Sequence, residues 1–242
     1  MNKTDKETRD DLKKELSCVD NLYKAQCVNW TGKTEKNEYY SEIISNELLF
    51  NLKEFDKIST VTRTNSYCRE NHSEIKINLE SNRNEEIFAK RITGLTFEDI
   101  GLINDYQIPL KDSLKDKGLG KIDLISYKED IKTLYLIELK YKGNTESLLR
   151  AILESYTYYK IVDRTKLIND CLGFKTNFIK NFSSFNPKEI IVKPAVLVVP
   201  ECNASTELEE MEAGKRPKMK ALSLALDITF FTMEFSAYKA SL

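Results

Sequence analysis

Two apolar runs separated by a short polar turn constrain this chain more than any other feature. Lys121-Ile122-Asp123-Leu124-Ile125 and Leu134-Tyr135-Leu136-Ile137-Glu138-Leu139-Lys140 flank Lys128-Glu129-Asp130-Ile131-Lys132. Branched and aromatic residues crowded into runs this short predict strands, Lys121 to Tyr127 and Thr133 to Tyr141, and the polar break predicts an antiparallel hairpin. With the turn centred between Asp130 and Ile131, paired residue numbers add to 261, so Asp123 faces Glu138. Opposed residues project to one side of a sheet with Cβ atoms roughly 4.5 to 5.5 Å apart, and the two carboxylates converge. Lys140 joins them on that side, while Tyr135, Ile137 and Leu139 point to the opposite layer. A slip of one residue would scatter the group; the apolar pattern on either side opposes it.

Converging carboxylates repel, so either one carboxyl takes a raised pKa or a cation sits between them. A hard ion such as Mg²⁺ (or Mn²⁺) takes oxygen donors and keeps several waters, a demand met by Asp123, Glu138 and the backbone carbonyl of Leu139. Lys140 beside the ion is placed to orient or deprotonate a water, or to neutralise charge in a phosphorane-like transition state. The chemistry that follows is phosphodiester hydrolysis.

The flanking sequence supplies layers for such a hairpin. Asn84 is a candidate cap for a helix from Glu85 to Thr93, with Phe88, Ala89 and Ile92 on one stripe and Gly94 as its stop. A strand over Leu102 to Leu110 precedes the hairpin. Gly143-Asn144-Thr145 breaks the pattern before a helix from about Glu146 to Val162, striped by Leu149, Ile152, Leu153, Tyr156 and Tyr159. Val196 to Val199 reads as a strand buried on both faces, followed by an acidic loop or helix over Glu207 to Glu212, a helix over Pro217 to Leu226 and a strand over Ile228 to Phe235. The expected fold class is α/β, a mixed central sheet of antiparallel meander plus crossover strand, flanked by helices. Residues 1–70 read as a helical N-terminal extension of two helices and a strand. Its stripes, Leu12, Leu16, Val19 and Tyr23 and then Ile43, Ile44, Leu48, Leu52 and Phe55, are core or partner-facing surface. The polar stretch Tyr67 to Ser73 marks the expected boundary with a second unit, 71–242.

Composition narrows the partners. The chain has 242 residues with 37 Lys+Arg against 38 Asp+Glu, a net charge of −1, so only a local patch could hold a polyanion. Charged residues at 31% and hydrophobic residues at 41% describe a soluble globular protein. Met1 to Ser17 is charged without an apolar core, and no run approaches the ~18 apolar residues of a membrane span. Five cysteines without CxxC spacing argue against a disulfide framework or zinc site, which makes the cytoplasm the expected compartment. The single histidine, His72, sits in a polar stretch and reads as a solvated loop residue.

Asp123 on one strand with Glu138-Leu139-Lys140 on the next resembles the PD-(D/E)xK nuclease superfamily, the restriction-endonuclease-like fold, over about residues 82 to 235. The resemblance implies that Asp123 and Glu138 hold metal and that Lys140 is catalytic beside them. It implies a further acid on the first helix, with Glu85 the better match and Glu86 the alternative. It also sets Tyr158 and Glu154 where the DNA-repair branch has Tyr and Gln, so Glu154 departs from that pattern. For Arg150 and Glu154 the plainer reading is a surface ion pair. Lys111, Lys115, Lys117 and Lys121 form either a phosphate patch or a solvated loop. The expected activity is a Mg²⁺-dependent nuclease on nucleic acid, DNA more than RNA, with a protein partner or second copy on the N-terminal helices. The rival is a non-catalytic binding or regulatory module of the same fold.

Overall fold

The computed structural model describes residues 2–68, 75–78, 81–112, 119–173 and 186–233. Helices α1 (Asp5–Glu15) and α2 (Tyr40–Phe50) lead the chain, with 3₁₀ turns over Leu16–Lys24, Gln26–Asn29 and Leu52–Lys57. There follow α3 (Asn84–Ile92), β1 (Thr96–Phe97), β2 (Gly101–Pro109), β3 (Lys121–Lys128), β4 (Thr133–Lys140), α4 (Leu148–Ile161) and α5 (Arg164–Gly173). A 3₁₀ turn over Pro187–Glu189, β5 (Ile191–Val198), α6 (Asn203–Glu212), α7 (Pro217–Ala225) and β6 (Thr229–Thr232) complete the described chain. The six strands form one sheet in sequence order. Pairings are antiparallel from β1 to β4 and parallel from β4 through β5 to β6, so the sheet is mixed and the class is α/β.

The hairpin register is the expected one. Leu124 pairs with Ile137, Ile125 with Leu136, Ser126 with Tyr135 and Tyr127 with Leu134. Alternation sorts the side chains into two cores: Ile125, Leu134, Leu136, Val196 and Val198 pack against α4, whereas Leu124, Ile137, Leu139, Ala195 and Leu197 pack against α3. All eight residues of β4 are buried, which explains why its apolar run tolerates few polar positions.

The N-terminal stripes are core. Leu12, Val19, Leu22, Tyr23, Ile44, Leu48 and Phe55 belong to the same apolar cluster as α4 and its sheet face. Within residues 2–68 no strand joins the sheet; in place of the expected one, 3₁₀ turns and a single bridge between Lys33 and Tyr39 carry the backbone. The helix read through Leu16, Val19 and Tyr23 also changes form. It stops at Glu15 and continues as 3₁₀ turns kinked at Cys18, with Val19, Leu22 and Tyr23 buried. The start of α1 has a capping box in which Glu7 N–H donates to Thr4 Oγ1 at 3.1 Å and Thr4 N–H donates to Glu7 Oε2 at 2.8 Å. Of the expected boundary Tyr67 to Ser73, Tyr67 and Cys68 are buried in this same apolar cluster, and the rest, His72 included, lies outside the described residues.

Smaller differences concern helix ends. Arg83, not Asn84, is the cap of α3, and Ser147 caps α4, its hydroxyl accepting from Arg150 N–H at 3.1 Å. Strand β1 and helix α5 were not foreseen. The first is two residues long, and the second is short, with Leu167, Ile168 and Cys171 buried.

Candidate acidic site at the end of the hairpin

The site forms where β3 and β4 part. Their ladder ends at the pair Leu124 and Ile137, and the next residue of each strand is Asp123 and Glu138. Freed from the ladder, the Asp123 carboxylate takes over as acceptor: its Oδ2 receives Leu139 N–H at 3.0 Å, and its Oδ1 receives the Gln107 amide at 2.8 Å. A strand residue directs its N–H and C=O to one neighbour, so the Leu139 carbonyl points to the same side as Asp123. Lys140, by contrast, offers its carbonyl to Val199 N–H of the segment after β5, at 2.8 Å.

Glu138 and Lys140 lie deeper. They are 6% and 2% exposed, and Lys140 Nζ donates to Glu138 Oε1 at 2.9 Å. The same ammonium also donates to Glu146 Oε2 and lies 3.9 Å from Glu154 Oε2. Arg150 bonds Glu146 Oε1 at 3.1 Å, and Glu154 Oε1 accepts from the Tyr158 hydroxyl at 2.7 Å. The expected i,i+4 pair of Arg150 and Glu154 is present at 3.9 Å, but it is half-buried and not a surface pair: Glu154 is shared by Lys140, Arg150 and Tyr158. Tyr158 is also packed, its ring edge-on to Tyr23 at 5.6 Å. Gly120 makes that seat possible, because a Cβ there would stand 2.0 Å from the Tyr158 hydroxyl.

Helix α3 delivers Glu85. Its Oε1 accepts from Asn144 Nδ2 at 2.6 Å and from Tyr141 N–H at 3.2 Å, which brings the carboxylate to the end of β4. Glu86 also lines the cleft beside this site, but its carboxylate is paired with Lys90 at 2.8 Å and Arg83 at 3.4 Å. Of the two acids read from the sequence, Glu85 is the one bonded to the end of β4. Asp123, Glu85 and Gln107 line an open cleft of about 400 Å³, with Arg83, Lys142 and Asn144 among its other walls. Glu138 and Lys140 do not line it.

Electrostatics follow first from burial and then from the neighbouring acids. Burial pushes the Asp123 carboxyl up to about 7; Glu85 and Glu154 push the same way, and Leu139 N–H and Lys140 oppose. Burial raises Glu138 well above the carboxylate range, Asp123 and Glu154 adding repulsion that Lys140 only partly offsets. Burial works against the Lys140 ammonium, but Glu138, Glu154 and Glu146 around it hold its pKa well above the ordinary lysine value. Asp123 and Glu138 therefore hold their protons more tightly than isolated carboxyls do, and Lys140 keeps its charge.

The donor set suits a hard divalent cation in kind, with carboxylate oxygens and the Leu139 carbonyl turned to one side. Among the described residues, however, no three His, Cys, Asp or Glu side chains are gathered at ligand range. Glu138 is committed to Lys140 instead. Of the lysines ahead of β3, Lys121 is exposed, Lys111 is half-buried, and Lys115 and Lys117 lie outside the described residues. Gln107, Asn144 and Glu146 were not singled out from the sequence. Gln107 lies opposite Asp123 between the pairs Tyr106 with Leu124 and Ile108 with Ile122, a register that the long loop after Pro109 hides from sequence reading.

Family models, curated proteins and solved structures were compared with the chain, and none matches. Among the described residues no helix is long and apolar enough to cross a membrane.

Proposed function

We propose that the chain is a Mg²⁺-dependent nuclease that hydrolyses phosphodiester bonds in nucleic acid, DNA more than RNA, on a restriction-endonuclease-like fold. One observation carries the reading: Asp123 and Glu138 are the residues that follow the last pair of the hairpin ladder, Asp123 opening into a cleft and Glu138 bonded to Lys140 behind it. Asp123, Glu138 and the Leu139 carbonyl would hold the ion, with Glu85 as accessory acid. When bound, the ion supplies an activated water and charge neutralisation at the phosphate. Lys140 places a positive charge next to the oxygens on which negative charge develops. Arg83 and Lys142 at the rim are the cations nearest a phosphate entering the cleft, and a chain of net charge −1 needs such local help or a recruiting partner.

A second reading, a binding module that cleaves nothing, is favoured by the burial of Glu138 at 6% and its bond to Lys140. Labelled single- and double-stranded DNA and RNA, incubated with Mg²⁺ or Mn²⁺, separate the two. The nuclease reading expects cleavage that Asp123→Ala abolishes. Intact substrate in every lane, with DNA still retained by the protein, selects the module.

A further inference from the structure

We propose that Gln107 is the positioning residue for Asp123, kept at a strained backbone site because its amide aims that carboxylate into the cleft. The inference rests on the nuclease reading and deepens it. Two kinds of observation carry it.

The first is the backbone. Gln107 has φ of +51° in the middle of β2, where an antiparallel strand residue ordinarily has φ near −140°. A long L side chain is disfavoured in the left-handed region, and such strain persists where the surrounding structure enforces it. Its consequence is visible in the packing. Residues two apart on a regular strand share a face, yet Tyr106 packs on the α3 side and Ile108 on the α4 side. Strand β3 turns over at the same level, with Ile122 on the α4 side and Leu124 on the α3 side. Asp123 sits at this double turnover, opposite Gln107 and between the pairs Tyr106 with Leu124 and Ile108 with Ile122.

The second is the side chain. Gln107 Nε2 donates to Asp123 Oδ1 at 2.8 Å while Leu139 N–H donates to Oδ2 at 3.0 Å, so both carboxylate oxygens are held and the plane of the group is set. Both donors are neutral. They orient Asp123 without cancelling its charge, as a Lys or Arg at position 107 would, and they leave its remaining lone pairs for a cation. Glycine would relieve the backbone but has no amide to offer, which is why a strained glutamine serves the site better.

The test compares Gln107→Gly, Gln107→Ala and the isosteric Gln107→Glu in the full chain, by thermal unfolding and by steady-state cleavage of labelled DNA with Mg²⁺. Gln107→Gly should unfold about 2 to 4 °C above Gln107→Ala, because only glycine accepts this backbone freely. All three lack the amide donor, and all three should lose about 10- to 100-fold in kcat with KM unchanged, the scale of a hydrogen bond to a charged group. A residue that merely supports the fold would instead show cleavage following stability, with Gln107→Gly the fastest of the three. That ranking, wild-type kcat in any of the three, or equal unfolding of the Gly and Ala variants overturns the inference. A wild-type chain that cleaves nothing removes the nuclease reading itself, whereas an active wild type with unaffected variants removes only the role of Gln107.

Discussion

The two halves of the acidic site are built on opposite principles. On the cleft side, Asp123 and Glu85 are held by neutral donors, the Leu139 and Tyr141 N–H groups and the Gln107 and Asn144 amides. Among the described residues neither forms a salt bridge. Behind them, Glu138, Glu146 and Glu154 converge on the Lys140 ammonium. The buried half has cations of its own, Lys140 and Arg150, and among the described residues the open half has none in salt-bridge contact with Asp123 or Glu85. Where a protein leaves oriented carboxylates facing solvent without a cation of its own, the missing charge is available to a ligand.

The largest effect expected from disturbing this contrast is at Lys140. Lys140→Ala strips the buried half of the ammonium that three acids share, and removing one partner of a buried charge cluster costs about 3 to 5 kcal/mol. Chemical denaturation should report that loss. Lys140→Ala is therefore a poor probe of catalysis alone, and Lys140→Met, which keeps the packing volume, is the variant to assay beside it.

The open half should show itself through pH. Asp123 is pushed from 3.8 up to about 7, so its favourable contribution is complete below about pH 4, is lost as pH rises to about 7 and is flat beyond. Roughly three units at about 1.36 kcal/mol each set a ceiling of about 4 kcal/mol, which solvent at the cleft reduces. Unfolding of the metal-free chain followed from pH 4 to 8 should show the fall, and Asp123→Asn should flatten it. Saturating Mg²⁺ should offset the fall, because an ion binds the ionised carboxylates. An unchanged slope in Asp123→Asn would assign the titration to other groups.

Smaller effects mark the frame around the two halves. Gly120→Ala drives a Cβ onto the Tyr158 hydroxyl and should cost about 1 to 3 kcal/mol, the usual penalty of overpacking. Far from the site, Thr4→Ala removes the cap of α1 and should cost about 1 kcal/mol with cleavage unchanged. Parallel unfolding curves for the two variants rank these contributions. A cleavage defect in Thr4→Ala would connect the N-terminal helix to the site in a way its packing does not.

The hairpin was legible because every determinant is local: a short turn sets the register, and alternation of apolar residues sets the faces. The ladder nevertheless stops one pair short of Asp123 and Glu138, and Asp123 lines the cleft while Glu138 and Lys140 lie behind it. Glu85 was legible as a point on a helical stripe, since Ala89 and Ile92 share its side of α3. Gln107 was hidden, because its pairing spans the long loop after Pro109 and its left-handed backbone has no signature in a glutamine. Glu146 was hidden for a related reason. It lies on the turn after β4, where Gly143 and Asn144 set the direction of the chain and no periodicity applies.

The central claim is that Asp123 and Glu138 complete a cation site at the end of the hairpin. Isothermal titration of Mn²⁺ into wild-type, Asp123→Asn and Thr4→Ala proteins at pH 8 tests it most directly. The account predicts one site in the wild type and in Thr4→Ala, and its loss or at least a tenfold weakening in Asp123→Asn. Equal Mn²⁺ affinity in all three, or no binding by the wild type, would contradict it.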